Sequence, residues 1–242
     1  MAKGETVVFI PAWNEEGNLP AVLDELAEGL PDADVIVIDD GSTDETAAVA
    51  RGRGAEVVSF GENRGLRVGI AAGYAYAEKH GYEFVGRVDA DGQHPVDELK
   101  RLLDIVRAGE ADVAIGSRFA TGDGYEAYRY VPSRSRRLGT SALRRGMRTV
   151  LGRPFLDATS GMYAANRRAL PALAIPYTSA APEVESLLRL RDAGLVVAEV
   201  PVHMRERASG ESKLRGNKAV RLVLTVVGTL LLYGVWRRMR RT

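Results

Sequence analysis

Residues 84–95 read Phe84-Val85-Gly86-Arg87-Val88-Asp89-Ala90-Asp91-Gly92-Gln93-His94-Pro95. The apolar beginning predicts a buried strand, which ends in two aspartates one residue apart and is followed by a glycine and a proline. Ligands of open α/β sheets bind beyond the carboxyl ends of the strands, so Asp89 and Asp91 are expected to face that crevice. Two carboxylates there suit a Mg²⁺ or Mn²⁺ ion that is shared with a diphosphate. A solvated turn can carry the same pattern, and the rest of the chain favours the metal site.

The composition is that of a soluble globular protein, with 45% hydrophobic and 27% charged residues among 242. This length is enough for one large domain, with or without an appendage. The net charge of +1 excludes a nucleic-acid-binding polycation, and no nucleic acid is expected as a partner. Basic residues crowd into the second half, which predicts an acidic metal-binding half and a half that meets phosphates or a membrane surface. The absence of cysteine excludes disulfides and thiolate metal sites.

Strand and helix patterns alternate along the first half of the chain. Strands are predicted at 6–10, 35–38, 56–60, 84–88 and 113–116, and helices at 19–30, 46–50, 66–79 and from 95 onwards. Pro11 is expected to stop the first strand, Asn18 to cap the first helix, and Ser42 or Thr43 to cap the second. The helix after Pro95 places its apolar residues on one face. This order predicts an α/β fold with a mostly parallel central sheet and helices on both faces.

The second half of the chain differs in composition from the first. Residues 121–130 form a glycine- and tyrosine-bearing loop, which is a candidate lid. Residues 132–151 have helical composition and contain Arg134, Arg136, Arg137, Arg144, Arg145 and Arg148. These arginines favour a phosphate-binding surface, and a solvated helix face is the alternative. A returning strand is predicted at 157–164, a helix at 183–193 and a final strand at 196–202.

An uncharged segment, residues 222–236, lies between two groups of basic residues near the end of the chain. As a helix it would be about 22 Å long, at about 1.5 Å per residue. A bilayer core is about 30 Å thick, so the segment is short for a span. The flanking arginines favour a helix that lies in the membrane interface. A helix of the soluble core is the second alternative for this segment, and a full span is the third. No secretory signal is expected, because the first residues lead directly into a strand.

Several motifs now stand in one order: Pro-Ala-Trp-Asn-Glu at 11–15, Asp-Asp-Gly-Ser-Thr-Asp at 39–44, Asp-Ala-Asp with Gln-His-Pro at 89–95, and Gly-Ser-Arg at 116–118. Together they resemble the family 2 glycosyltransferases of the GT-A fold. Thr-Ser-Gly-Met-Tyr at 159–163, Glu183 with Glu185, and Arg-Ala-Ser-Gly-Glu-Ser-Lys at 207–213 are similar to the polyprenyl-phosphate sugar transferases. That group includes the dolichyl-phosphate mannose synthases and the bacterial undecaprenyl-phosphate glucosyltransferases. The family often has Tyr in place of Trp13 and Phe in place of Met162.

The resemblance implies a nucleotide-diphosphate sugar that lies across the strand ends. The residues expected to bind this donor are Pro11, Asn14, Glu15, Asp39, Asp40, Asp89, Asp91 and Gln93. Asp39 and Asp40 would accept hydrogen bonds from the base or the ribose, although a turn that caps a helix is the alternative. Asp89, Asp91 and Gln93 would hold the metal, which would neutralise the leaving diphosphate. His94 is expected to be a structural hydrogen-bonding residue, since hard Mg²⁺ prefers oxygen ligands.

The acceptor implied by the resemblance is a lipid phosphate. Its second pKa is about 6, so it is largely a dianion at neutral pH and needs no strong base. It needs groups that hold it in line with the donor. The catalytic residues expected are Asp91, Arg118, Arg137, Ser141, Arg207 and Lys213. Arg137 and Ser141 are one helical turn apart, although the sequence does not distinguish Arg137 from Arg134. Glu183 and Glu185 are candidates for a base or for orienting cationic side chains, and exposed helix acids are the alternative.

The sequence thus predicts an inverting, metal-dependent transferase that moves a sugar from a nucleotide donor to polyprenyl phosphate. Residues 1–215 are expected to form the GT-A domain, and 216–242 a helix with a basic tail on an anionic membrane surface, at the inner face of the cell membrane. The alternative enzyme transfers the sugar to a hydroxyl of a glycan, lipid or small molecule. A non-catalytic binding or scaffold protein is disfavoured by the Asp89/Asp91 pair, and a dehydrogenase by the lack of Gly-x-Gly-x-x-Gly. Self-association into a homo-oligomer stays open.

Overall fold

A computed structural model of the chain describes residues 4–122, 124–125, 155–157, 160–179, 181–205 and 228. The strands in these ranges are β1 (Thr6–Ala12), β2 (Asp34–Asp39), β3 (Glu56–Ser59), β4 (Phe84–Arg87), β5 (Val113–Ser117), β6 (Tyr163–Asn166) and β7 (Val197–Pro201). The helices are α1 (Leu19–Gly29), α2 (Thr46–Gly52), α3 (Leu66–His80), α4 (Val96–Arg107), α5 (Leu170–Leu173) and α6 (Pro182–Asp192), with a 3₁₀ turn at Arg167–Ala169.

The strands form one mixed sheet in the order β3-β2-β1-β4-β6-β5-β7. All neighbouring pairs are parallel except those of β6, which is antiparallel to both β4 and β5. Side chains alternate across β1, so that Val7 and Phe9 enter one apolar cluster and Val8 and Ile10 enter the other. Helices α3, α5 and α6 cover the first cluster, and α1, α2 and α4 cover the second. The predicted α/β sheet with helices on both faces is confirmed.

The first strand extends further than predicted. Pro11 does not stop β1, because it pairs in parallel register with Ile38 and the strand continues to Ala12. The carbonyl of Phe9 accepts from Val88 on the β4 side, and backbone groups two residues on point the same way. The missing N–H of Pro11 therefore faces the side on which β4 has already ended at Arg87. Proline is tolerated where no ladder hydrogen bond is lost.

Three other local predictions are wrong. The Asn18 side chain does not cap α1, since its Nδ2 donates to Glu15 Oε2 at 2.8 Å. Neither Ser42 nor Thr43 caps α2, which begins after Glu45. The returning strand is shorter than 157–164: it begins at Tyr163, because the residues described before it form a loop that is held by hydrogen bonds to the Asp157 side chain and backbone.

Several predicted segments fall outside the part of the chain that the structure describes. They are the arginine-rich helix 132–151, most of the candidate lid 121–130, and the apolar segment 222–236 except Gly228, which is helical. Among the described residues, no helix has both the length and the apolar character that crossing a membrane requires.

Gly73→Ala is expected to destabilise the fold. A Cβ at Gly73 would lie 2.2 Å from Cδ2 of the Phe9 ring, which is fully buried. We expect a loss of about 1–3 kcal/mol in the free energy of unfolding, because the ring and α3 must move apart. Urea denaturation measures this loss. Gly69→Ala, one turn earlier on α3, is the control, since its nearest neighbour would be Pro11 Cβ at an ordinary 3.5 Å. Equal stability of the two variants would contradict this packing.

Candidate active site

A cavity of about 410 Å³ lies at the carboxyl ends of β1, β2 and β4. Its lining residues are Pro11, Ala12, Trp13, Glu15, Asp40, Asn63, Gly65, Leu66, Gly69, Asp89, Ala90 and Asp91. This volume is within the usual range for sites that bind small molecules and cofactors. The lining contains four carboxylates and, among the residues described, no lysine or arginine. The described lining therefore favours an anionic ligand that is accompanied by a cation.

Asp89 presents its carboxylate at this cavity from just beyond the end of β4. Its side chain is 36% exposed, yet Oδ1 is buried and accepts no hydrogen bond from the described residues. The Nη2 atom of Arg87 lies 3.6 Å from that oxygen. On the other side Gly161 packs against the carboxylate so closely that a Cβ there would be 2.3 Å from Asp89 Oδ2. The position of Asp89 is thus fixed from two sides.

The loop that follows Asp89 is shaped by its own polar groups. Asp91 is buried, and its Oδ1 accepts from the backbone N–H of Gln93 at 3.1 Å. Gly92 between them has a φ of 75°, which favours glycine. His94 Nδ1 accepts from the backbone N–H of Asp89 at 3.0 Å. Burial lowers the pKa of His94, although the charges of Asp89 and Asp91 act in the opposite direction, so the ring is neutral. Because Nδ1 accepts this hydrogen bond, the ring proton is on Nε2. His94 therefore acts on this loop as a hydrogen-bond acceptor.

The residues present fit a divalent metal that is shared with a ligand. The described ranges contain no cluster of three or more acidic or histidine side chains able to enclose a metal by themselves. Mg²⁺ is commonly held by only one or two carboxylates together with substrate phosphates. The partly exposed carboxylate of Asp89 and the neighbouring Asp91, which both line the cavity, match that arrangement. The Gln93 amide instead donates through Nε2 to the carbonyl of Arg205 at 3.3 Å.

The loops after β1 and β2 are bound to each other. Asn14 adopts a left-handed φ of 55°, its Oδ1 accepts from the N–H of Thr43 at 2.8 Å, and its own N–H donates to Ser42 Oγ at 3.0 Å. The N–H of Glu15 donates to Thr46 Oγ1 at 2.9 Å. Asn14 is therefore placed between the two loops, whereas Glu15 also reaches the cavity lining.

Asp39 and Asp40 both have structural hydrogen bonds. Asp39 accepts from the N–H of Ser42 at 3.0 Å and from Ser59 Oγ at 2.6 Å, and it does not line the cavity. Asp40 lines the cavity and accepts from the N–H groups of Arg64 and Gly65 at 2.7 and 2.8 Å, at the start of α3. A carboxylate has about four acceptor positions, so each aspartate retains capacity for a ligand donor.

Five of the eight residues predicted to bind the donor line the cavity: Pro11, Glu15, Asp40, Asp89 and Asp91. Asn14, Asp39 and Gln93 belong to the surrounding loops. The sequence patterns did not indicate four other lining residues, Asn63, Gly65, Leu66 and Gly69. Their signal was a short glycine-bounded loop between a strand and a helix, which opens at the same edge of the sheet as the two aspartate motifs.

Of the residues predicted to hold the acceptor phosphate, only Arg118 is described. Its Nε and Nη2 donate to the two oxygens of Asp157 at 2.7 and 2.8 Å. Asp157 is buried, and its N–H donates to Glu199 Oε1 at 2.7 Å, so the guanidinium is anchored to β7. Arg137, Ser141, Arg207 and Lys213 lie outside the described residues.

The segment before the 207–213 motif is attached to the aspartate loop. The N–H of Arg205 donates to the carbonyl of Gln93 at 2.9 Å, and the carbonyl of Arg205 accepts from the Gln93 side chain, as described above. The Arg205 guanidinium forms two bonds with Glu25 on α1, at 2.6 and 2.9 Å. The chain thus leaves the described region directly beside the candidate metal site.

The two acids at the start of α6 are not exposed. Glu183 is partly buried, with 15% of its side chain exposed, and its Oε1 lies 3.3 Å from Arg87 Nη2. Glu185 accepts from the N–H groups of Thr178 and Ser179 and from Arg189, which fixes the preceding loop. The alternative that they are exposed helix acids is therefore wrong, and Glu183 does orient a cationic side chain.

Comparison with known proteins agrees with this geometry. Residues 7–170 match the Glycosyl transferase family 2 domain. The chain is 34% identical to a polyprenol monophosphomannose synthase of Mycolicibacterium smegmatis, over 88% of this chain and 82% of that protein. It is also 34% identical to an undecaprenyl-phosphate mannosyltransferase of Micrococcus luteus, over 91% of each.

A solved structure shares the fold. Glucosyl-3-phosphoglycerate synthase from Mycobacterium tuberculosis, in complex with Mn²⁺, uridine diphosphate and phosphoglyceric acid, superimposes with a TM-score of 0.69. It is 24% identical, and the alignment covers 96% of this chain and 78% of that one. The central sheet with its two helical layers is thus the GT-A arrangement. The chain belongs to glycosyl transferase family 2 and is a glycosyltransferase.

Proposed function

We propose that this enzyme transfers a sugar from a nucleotide-diphosphate donor to a polyprenyl phosphate, with a divalent metal and with inversion at the anomeric carbon. The observation that carries the proposal is the cavity at the ends of β1, β2 and β4, whose described lining has four carboxylates and no basic side chain. A diphosphate is repelled by such a lining unless a cation accompanies it. The two relatives named for polyprenol and undecaprenyl phosphate support the acceptor.

Asp89 and Asp91 would hold the metal, with Gln93 as the remaining proposed ligand. When bound, the metal acts as a Lewis acid that neutralises charge on the leaving diphosphate. The solved protein of the same fold contains Mn²⁺ and uridine diphosphate, which supports a divalent ion at this place. The loop residues Pro11, Asn14, Glu15, Asp39 and Asp40 would position the nucleoside. Mannose is the first sugar to test, because both relatives bear it in their names.

Cationic groups would hold the acceptor phosphate in line with the donor. Arg118 is anchored for this role by the buried Asp157, because two of its three nitrogens are fixed there. Arg137, Ser141, Arg207 and Lys213 are the other proposed contacts. Arg205, which is bonded to Gln93 through its N–H and its carbonyl, is the last residue described before the 207–213 motif. We also propose that residues 1–215 form the catalytic domain and that 216–242 bind the cytoplasmic face of the membrane.

The arrangement of the acids weakens the alternative of a hydroxyl acceptor. A hydroxyl needs a general base within hydrogen-bond reach. Glu183 lies against Arg87, and Glu185 accepts hydrogen bonds from the loop before α6. A phosphate dianion needs no such base, which is consistent with both carboxylates having structural partners.

A donor screen tests the proposed reaction. The full chain is incubated with Mn²⁺ or Mg²⁺, a nucleotide sugar, and vesicles that contain undecaprenyl phosphate, and nucleoside diphosphate release is measured. Vesicles with undecaprenol, which lacks the phosphate, are the matched control. We expect release only with the phosphorylated lipid and only with metal. Equal release with undecaprenol or with a glycan acceptor would refute the lipid phosphate as acceptor.

A further inference from the structure

A group of charged side chains is buried directly behind Asp89. Arg87, the last residue of β4, is only 2% exposed. Its Nη2 lies 3.3 Å from Glu183 Oε1 and 3.6 Å from Asp89 Oδ1, so one guanidinium faces two carboxylates. Removing a charge from water costs several kcal/mol per ion. Arg87 is removed from water almost completely and Glu183 largely, with 15% of its side chain exposed, which calls for a function that apolar residues could not supply.

Unsatisfied polar atoms are concentrated in the same group. Among the described residues, the buried side-chain atoms without a hydrogen-bond partner are Tyr74 Oη, Arg87 Nε, Asp89 Oδ1 and Arg191 Nη1. The first three belong to this group, since Arg87 and Glu183 both lie close enough to the Tyr74 hydroxyl to influence its pKa. Buried polar atoms are nearly always paired in native proteins, so such a concentration indicates a site that is not built for stability.

The charges in the group have a definite consequence for a cation at Asp89. Arg87 alone beside Asp89 would cancel the charge that attracts a divalent ion and would repel the ion itself. Glu183 supplies a second carboxylate on the far side of the same guanidinium. Burial by itself lowers the pKa of Arg87, but the charges of Asp89 and Glu183 outweigh it, so the guanidinium stays charged. Burial raises the pKa of Glu183 and the charge of Arg87 opposes that rise. With Glu183 ionised, the pair Arg87–Glu183 is neutral as a whole.

We propose that Arg87 and Glu183 form a buried ion pair that orients the Asp89 carboxylate and leaves its negative charge available to the divalent metal. They are then positioning residues for the reaction, and this inference rests on the proposed function. Arg87 holds Oδ1 from behind while Gly161 confines Oδ2, so the carboxylate meets the cavity in one orientation. Glu183 belongs to α6 and is 96 residues from Arg87 in the sequence.

The test is Mn²⁺ affinity in the presence of a nucleoside diphosphate, measured by calorimetry or electron paramagnetic resonance without turnover. For Glu183→Gln, which keeps the shape and removes the charge, we expect Kd for Mn²⁺ to rise roughly ten- to hundredfold, as for other partners of metal ligands. Glu183→Asp, which keeps the charge, should recover most of that loss. Glu185→Gln, two residues along the same helix, is the matched control and should leave Kd unchanged.

The outcomes separate this inference from the proposed function. If the unmodified protein binds no Mn²⁺ with the nucleotide, the proposed function itself fails. If it binds Mn²⁺ and folded Glu183→Gln binds it equally well, the role of the ion pair is refuted. If Glu183→Gln does not fold, the double variant Arg87→Gln/Glu183→Gln is measured instead. It removes both charges of the pair, so neither is left buried without its partner. The Kd of this variant for Mn²⁺ should rise roughly tenfold, because Asp89 loses the guanidinium that orients its carboxylate, and a Kd within about twofold of the unmodified value would overturn the inference.

Discussion

Asp91→Ala is expected to lower kcat/KM by roughly 10³-fold or more, because it removes one of the two carboxylates proposed to hold the metal. Asp91 is buried at the cavity, and the described lining offers no cation that could replace the metal. Without the ion, the leaving diphosphate would develop its charge against Glu15, Asp40 and Asp89. Initial rates at saturating lipid measure the loss. Metal-dependent donor binding, followed by calorimetry, should disappear with it.

Two further variants show whether the charge of Asp91 is responsible. Asp91 Oδ1 also accepts from the N–H of Gln93, so the alanine variant removes a loop contact as well. Asp91→Asn keeps an acceptor for that N–H and removes the charge, and we expect it to be as inactive as Asp91→Ala. Asp104→Ala removes an exposed carboxylate of α4 that pairs with Arg107, and its rate should stay within about twofold of the unmodified enzyme. Normal activity of either Asp91 variant would contradict the assigned site.

Gly161→Ala is expected to lower kcat/KM by roughly 10²-fold while the protein stays folded. The added Cβ would lie 2.3 Å from Asp89 Oδ2 and 2.8 Å from its Cγ. The carboxylate must therefore move by about 1 Å, and Arg87 behind it limits where it can go. The backbone of Gly161 does not have a positive φ, so alanine fits the main chain, and the effect arises from the side chain alone.

Gly52→Ala provides the matched control for this substitution. Gly52 is the last residue of α2, and a Cβ there would meet nothing within 4 Å. We expect unchanged kcat/KM and equal or slightly higher thermal stability, since alanine restricts the unfolded chain. If Gly161→Ala turned over donor as fast as Gly52→Ala, the orientation of Asp89 would not matter for the reaction. Thermal unfolding of each variant checks that the fold is retained.

Local patterns were sufficient to predict most elements of the first half. The uninterrupted apolar run of β2 and the one-sided apolar face of α4 depend on residues close in sequence, and both are found where they were expected. The end of β1 could not be predicted in this way. Whether Pro11 stops the strand depends on where the neighbouring β4 ends, which is a property of the assembled sheet.

The residues of the candidate site also differ in whether local sequence could predict them. Asp89 and Asp91 were recognised because one short motif contains both of them and the strand that carries them. The partnership of Arg87 with Glu183, and the contact of Gly161 with Asp89, join elements that are distant in sequence. Polar side chains such as Asp39 and Asn14 gave an ambiguous signal, because a ligand contact and a loop hydrogen bond favour the same residue types.

The mutual binding of the loops 13–16 and 42–46 has a consequence for protein engineering. Asn14 uses both its backbone and its side chain to join them, and the remaining bonds run in both directions between side chains of one loop and N–H groups of the other. A graft that replaces one loop alone would leave backbone donors of the other without acceptors. Under the proposed function, a redesign of donor preference would therefore transplant the two loops as one module.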